Sequence, residues 1–315
     1  MNWLMAHRVA GIAAANLRRR LGLSEGEYVD AFTALELSGL TVMGQDMPNL
    51  FGAFVPPQPG RHGGILLNSR MSEATIRHSA AHELGHAEMG HGNCVAEGLD
   101  PFASSRGKQW SDEEKQAEAF AAWFLMPIPA VKTALIRLGL DVPREAMDAY
   151  QLSLHLGTSY RGTVRHLGSL RMIPPGVGSG WAGIPPARLR AQLCGRRRDL
   201  PARVWDLTGL TEGCRLPVDR GDRLIVRAPW LGSSPTFTGP VGVTMRVEPQ
   251  TVAPGEGAEF DIVDDIATES TLTLTSDSGS ERWSVTLMAT PPSREGLIAS
   301  RRPPIMIGPA TRAGR

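Results

Sequence analysis

Apolar positions recur at three- and four-residue spacing over residues 3–21 and 26–37, with little Gly or Pro, and predict two helices. The period then changes. "LTVMGQDM", "LFGAFVPP" and "GGILLNS" are short β-type runs between turn residues and predict a small three-stranded sheet. A helix over 72–90 follows, with Asn68 or Ser69 placed to cap it and "GHGN" placed to stop it. After a loop containing "GLDPFASSRGKQW", Ser111 caps a second helix, "DEEKQAEAFAAWFLM". Its acidic first turn suits the helix dipole, and Pro127 and Pro129 end it.

Residues 129–173 read as three or four short helices. "YQLSLHLGTSYRGTVRHLGSLRMI" has the helix, glycine turn, helix shape of a helix-turn-helix. The favoured reading of that pair is a helical subdomain packed on the preceding part rather than a DNA-reading element. At 174 the composition shifts to "PPGVGSGWAGIPP", a Pro/Gly boundary, and residues 187–203 carry six arginines against Asp199 alone. That basic run reads as a solvated face before it reads as a nucleic-acid patch. Beyond 213 the segments "GDRLIVRAP", "VGVTMRVEP", "AEFDIVD", "STLTLTSD" and "RWSVTLMAT" alternate with turn clusters and predict a β-sandwich of immunoglobulin-like size.

The expected fold class is therefore α+β. Its parts are a mostly helical domain at 1–173, a connector at 174–212, an all-β domain at 213–292 and a disordered tail at 293–315. A 1–173 fragment is expected to hold the whole functional site.

Composition narrows the classes. A 42% hydrophobic fraction supports real cores, and a net charge of +1 provides no long-range pull toward nucleic acid or anionic lipid. Cys94, Cys194 and Cys214 are few, odd in number and far apart, which fits a reducing cytoplasm better than a disulfide framework. The N-terminal run "VAGIAAA" is short, and its arginines follow it, so it reads as an amphipathic helix rather than an export signal. No apolar run is long enough to predict a membrane span.

Chemistry concentrates in "HSAAHELGHAEMGH", residues 78–91, which holds four of the chain's eight histidines. His82 and His86, one helical turn apart, project from one face and can grip a single zinc ion. Glu83 then lies beside the open coordination position as a candidate proton acceptor for water. HExxH alone fixes few positions, so a satisfied structural histidine pair competes with this reading unless a third ligand exists. His91 follows the helix-ending glycine and falls off the face. Cys94 has only proximity to recommend it. The acidic helix offers Glu113, Glu114 and Glu118. Glu114 and Glu118 share a face, so one of those two is the expected ligand and the other a partner that orients a ligating histidine.

The paired motifs "GGILLNSRMSEATIRHSAAHELGHAEMGHG" and "EKQAEAFAAWFLMP" resemble those of the ImmA/IrrE metallopeptidases, over residues 1 to about 173. Counted back from "LMP" at 125–127, the resemblance implies Glu114 as the zinc carboxylate, with His82 and His86 as the other ligands and Glu83 as the catalytic base. Many members carry Asn at the position of Glu118. The resemblance further implies a cytoplasmic zinc endopeptidase of regulatory character whose protein substrate is a helix-turn-helix repressor controlling stress-response or mobile-element genes. It implies nothing for the β-rich part, which reads by analogy as a sensor or recruitment module. The competing reading is a DNA-binding or ligand-sensing regulator with a structural or silent zinc site, against which the intact Glu83 speaks. His78, one turn before His82, is a candidate oxyanion donor and more simply a helix-surface histidine.

Overall fold

Ser111 Oγ accepts a hydrogen bond from the Glu114 backbone N–H at 3.1 Å, so the acidic helix starts where its cap predicts. That helix belongs to a computed structural model describing residues 1–48, 50–60, 63–92, 94–97, 110–194, 201–228, 230, 236–245, 257–276 and 278–289. Among them, α1 (Trp3–Arg20) and α2 (Ala31–Leu37) precede a mixed sheet of β1 (Thr41–Gln45), β2 (Leu50–Val55), β3 (Gly64–Asn68) and β4 (Cys94–Glu97). The order is β1-β3-β2-β4, with β1 parallel to β3 and the other pairs antiparallel. The sheet thus has four strands instead of the expected three. β4 was invisible to pattern because it pairs with β2 from beyond the histidine helix.

The histidine helix, α3 (Glu73–Glu88), runs between β3 and β4. Its N-cap is Ser72, not Asn68 or Ser69. Asn68 is occupied elsewhere. Fully buried at the end of β3, it donates from Nδ2 to the Met47 and Leu50 carbonyls and accepts from Arg70 N, pinning the β1–β2 connection. The acidic helix, α4 (Asp112–Leu125), lies across both α1 and α3. α5 (Ile128–Arg137), α6 (Ala146–His155) and α7 (Tyr160–Ser169) follow. α7 packs inward. Its His166 Nε2 lies 3.0 Å from the Met126 carbonyl, and the ring meets Trp123 edge-on.

The expected connector contains α8 (Pro175–Ala182), α9 (Pro186–Cys194) and a strand, β5 (Arg203–Thr208). β5 joins β7 (Asp222–Arg227), β9 (Val243–Met245) and β10 (Ala258–Ile262) in one sheet of order β5-β7-β10-β9. The second sheet, β6-β12-β11-β8, comprises β6 (Arg215–Leu216), β8 (Thr236–Thr238), β11 (Ser270–Thr275) and β12 (Arg282–Leu287). Each sheet contains one parallel edge pair, β5 with β7 and β6 with β12. Arg196–Arg198 of the basic run and the tail expected to be disordered lie outside the described residues. Among the described helices, no single one is long and apolar enough to cross a membrane. α4 and α5 together pass on composition but bend by 41° at their junction.

One continuous set of buried apolar side chains runs from Leu17, Phe32 and Phe120 through Leu152 to Trp205, Leu224 and Trp283. The helical and β-rich parts therefore share packing, and polar groups stitch the seam. Gln151 on α6 donates to the Val204 carbonyl at 3.0 Å and accepts from Asp206 N at 3.1 Å, while Tyr150 Oη accepts from Val204 N at 2.9 Å. Trp205 lies edge-on to His155 at 5.4 Å. A fragment ending at 173 would strip these partners away, a cost that the strand pattern alone did not reveal. Gln151→Ala is expected to orphan a buried carbonyl and a strand N–H. The expected loss is about 2–4 kcal/mol, read from equilibrium urea unfolding of the full chain. An unchanged midpoint would show that the seam contributes little to stability.

Candidate metal centre

One helical turn separates His82 from His86, and α3 buries both rings against α4. His82 Nε2 and His86 Nε2 stand 3.1 Å apart. Glu114 on α4 completes a triangle, with Oε2 3.2 Å from His82 Nε2 and Oε1 3.5 Å from His86 Nε2. Donor atoms of these three residues all lie within 4.8 Å of one another. A tetrahedral ion with bonds of about 2.0–2.1 Å would hold neighbouring donors about 3.3 Å apart, so this cluster fits one ion and leaves a fourth position open.

Two close approaches make the geometry attainable. A Cβ on Gly85 would lie 3.0 Å from Phe120 Cδ1, so the glycine inside "HELGH" lets α4 come against α3. A Cβ on Gly52 would lie 2.9 Å from Glu83 Oε1, so β2 presses on the glutamate only because it carries glycine there. Glu83 is buried, accepts a hydrogen bond from the Phe54 backbone, and keeps Oε2 without a hydrogen-bond partner.

The charges follow from these contacts. Burial pushes the Glu83 carboxyl up to about 7, with the positive His82 opposing and Glu114 assisting. Burial would lower His82, but hydrogen bonds to Glu114 and Glu118 and the nearby carboxylate charges outweigh it and raise the imidazole to about 10. His86 moves the other way, to about 3, through burial and the charge on His82. Burial would raise Glu114 and Glu118. Hydrogen bonding and charge from His82 hold Glu114 below the ordinary carboxylate range, and His78 with His82 holds Glu118 well below it.

Glu118 stands on the far side of His82 from the triangle. Its Oε2 accepts from His78 Nε2 at 2.8 Å and lies 3.6 Å from His82 Nδ1, with Arg165 Nη1 3.8 Å from Oε1. His78 is thereby engaged with a carboxylate. Glu113 is exposed on the first turn of α4. His91, set aside as a ligand, lies behind His86, with the two Nδ1 atoms 2.9 Å apart and His91 Nε2 3.3 Å from Gln116 Oε1. The Cys94 side chain lies outside the described residues. Sequence reasoning missed Gly52, Gly85, Gln116 and Arg165. For Gly52, a glycine inside a strand pattern was the available signal of a close approach.

Residues 39–155 match the family model for the IrrE N-terminal-like domain, Peptidase_M78. Over that stretch the chain is similar to the M78 peptidases. Every residue of the donor cluster, with Glu83 and Glu118, falls inside the matched stretch, whereas α7 and the β-rich part lie beyond it. No curated protein matches the chain significantly. Among solved structures, the cysteine protease inhibitor EhICP2 from Entamoeba histolytica aligns at 11% identity. That alignment covers 28% of this chain and 96% of the inhibitor, with a TM-score of 0.21, too low to bear on fold or function.

The charge arrangement around this cluster would make metal binding pH-dependent. A cation and a proton compete for His82 Nε2, and that imidazole is raised to about 10 without an ion, so binding at neutral pH must expel the proton. Affinity should rise about tenfold per pH unit up to that value, and calorimetry in two buffers at pH 7 should show release of at least about one proton. Metal uptake without proton release would contradict the donor assignment.

Proposed function

We propose that the protein is a zinc-dependent endopeptidase that cleaves a helix-turn-helix transcriptional repressor in the cytoplasm and so releases regulated genes. The observation that carries the catalytic part is the convergence of His82 Nε2, His86 Nε2 and the Glu114 carboxylate next to a buried Glu83 with an orphaned oxygen. A zinc ion held by His82, His86 and Glu114 would supply a Lewis acid for the scissile carbonyl and would lower the pKa of water toward about 7. Glu83 would take a proton from the attacking water and pass it to the leaving amide nitrogen, and burial, which favours its protonated form, helps it hold that proton between the two transfers. Glu118 turns the His82 ring through Nδ1 and is itself held by His78, so we assign it the orienting role and Glu114 the ligand role.

The substrate class is supported by the motif resemblance, in which related peptidases cut repressors at a defined bond. We read the two C-terminal sheets as an immunoglobulin-like sandwich that recruits substrate or senses a signal. We begin that unit at the strand Arg203–Thr208, which pairs with β7. Its link to the peptidase part is direct, since Arg77 on α3 lies 3.5 Å from Asp219 in the turn before β7.

Glu83→Gln should keep the fold and about one zinc per chain while lowering cleavage of a candidate repressor by at least ~100-fold. Undiminished cleavage by a metal-replete Glu83→Gln protein would remove Glu83 from the chemistry. The two acidic residues of α4 should separate. Glu114→Ala is expected to lose the ion outright, and Glu118→Ala to weaken affinity or activity by about 10–100-fold. Elemental analysis showing the greater loss in Glu118→Ala would reverse the assignment.

A further inference from the structure

His82 and His86 meet Glu114 through Nε2, so their Nδ1 atoms are left for other partners. For His82 the partner is the Glu118 carboxylate. For His86 it is a chain of two side chains, His91 and then Gln116 on α4.

The backbone puts His91 there. α3 ends with Gly90 at φ +69°, its N–H donating to the Ala87 carbonyl at 3.3 Å, while His91 N–H donates to the His86 carbonyl at 3.0 Å. This pair of bonds is the Schellman motif, and it folds the residue after the glycine back onto the last turn. A histidine at that place in "GHG" is therefore delivered beneath the ring of His86 without continuing the helical face. His86 is fully buried and His91 is 9% exposed, so solvent does not substitute for either partner.

Proton order along the chain follows from the chemistry of its last member. Gln116 Oε1 can only accept, and Gln116 Nε2 is turned toward Met1 Sδ at 3.7 Å. A His91 with one ring proton therefore carries it on Nε2, which leaves its Nδ1 bare to accept. Two Nδ1 atoms 2.9 Å apart need one donor, and His86 Nδ1 is the remaining candidate. A neutral His86 protonated at Nδ1 has its lone pair on Nε2, the atom inside the donor triangle. The geometry points to His91 and Gln116 as positioning residues that fix the tautomer and ring orientation of His86 for the ion. The inference rests on the metal-site reading above and names the partners that set one of its ligands.

The test uses full-length protein and measures zinc affinity by chelator competition, with circular dichroism as the check on folding. His91→Phe should weaken zinc by about 10–100-fold. Gln116→Leu should act in the same direction, and His91→Asn, whose Oδ1 replaces the acceptor, should recover most of the loss. Nitrogen-15 NMR of the zinc-loaded wild-type protein should show His86 protonated at Nδ1 and metallated at Nε2. That measurement decides the point even if His91→Phe does not fold. Zinc lost in His86→Ala but held at wild-type affinity in a folded His91→Phe protein would overturn the inference and leave the site intact. An NMR spectrum with His86 bound through Nδ1 would also overturn it. Zinc retained in His86→Ala would instead sink the site reading itself.

Discussion

Gly85 against Phe120 is the contact on which the site depends. A side chain at 85 would lie 3.0–3.1 Å from three atoms of Phe120, a separation that neighbouring atoms relieve only by moving apart. Phe120 is itself fixed by stacking on Phe124, with ring centroids 5.6 Å apart. The close approach of α3 and α4 thus rests on a glycine facing a buried aromatic ring. Because Glu114 comes from one helix and both histidines from the other, the 3.1–3.5 Å spacing of the donors depends on that approach.

A second constraint ties the histidine helix to the β-rich part. Arg77 is buried beside Asp219, under the Tyr28 ring at 5.6 Å, with Nε and Nη1 lacking hydrogen-bond partners. Asp219 and buried Asp222 in turn accept from Arg203, which their charges hold above the ordinary guanidinium range despite burial. Two cations and two anions balance, and removing one would leave an uncompensated buried charge. The β-rich part therefore bears on the helix carrying His82 and Glu83 through charge as well as through packing around Trp205.

What could be read from the sequence was local. "HELGH" on a helix and Ser111 before an acidic turn are signals spanning a few residues, and both helices formed where periodicity placed them, the acidic one on its predicted cap. The cap of α3 was misplaced because Asn68 has the right chemistry but is recruited by the β1–β2 connection, a contact about 20 residues away in sequence. β4 and β5 were missed for the same kind of reason. Their partners lie across a helix or a long connection, and a short strand has too few positions to show its period. The role of His91 was hidden because helix-face reasoning stops at the glycine, whereas the Schellman turn that the glycine makes is what returns His91 to His86.

The central claim is that two imidazole nitrogens and one carboxylate oxygen form a tetrahedral zinc site with one position free for substrate chemistry. X-ray absorption at the zinc edge of the full-length protein, loaded with one equivalent, tests it most directly. The account predicts four light-atom neighbours at about 2.0–2.1 Å, two of them with the outer-shell scattering of imidazole, and no sulfur. A thiolate at about 2.3 Å, or a shell without two imidazoles, would contradict it.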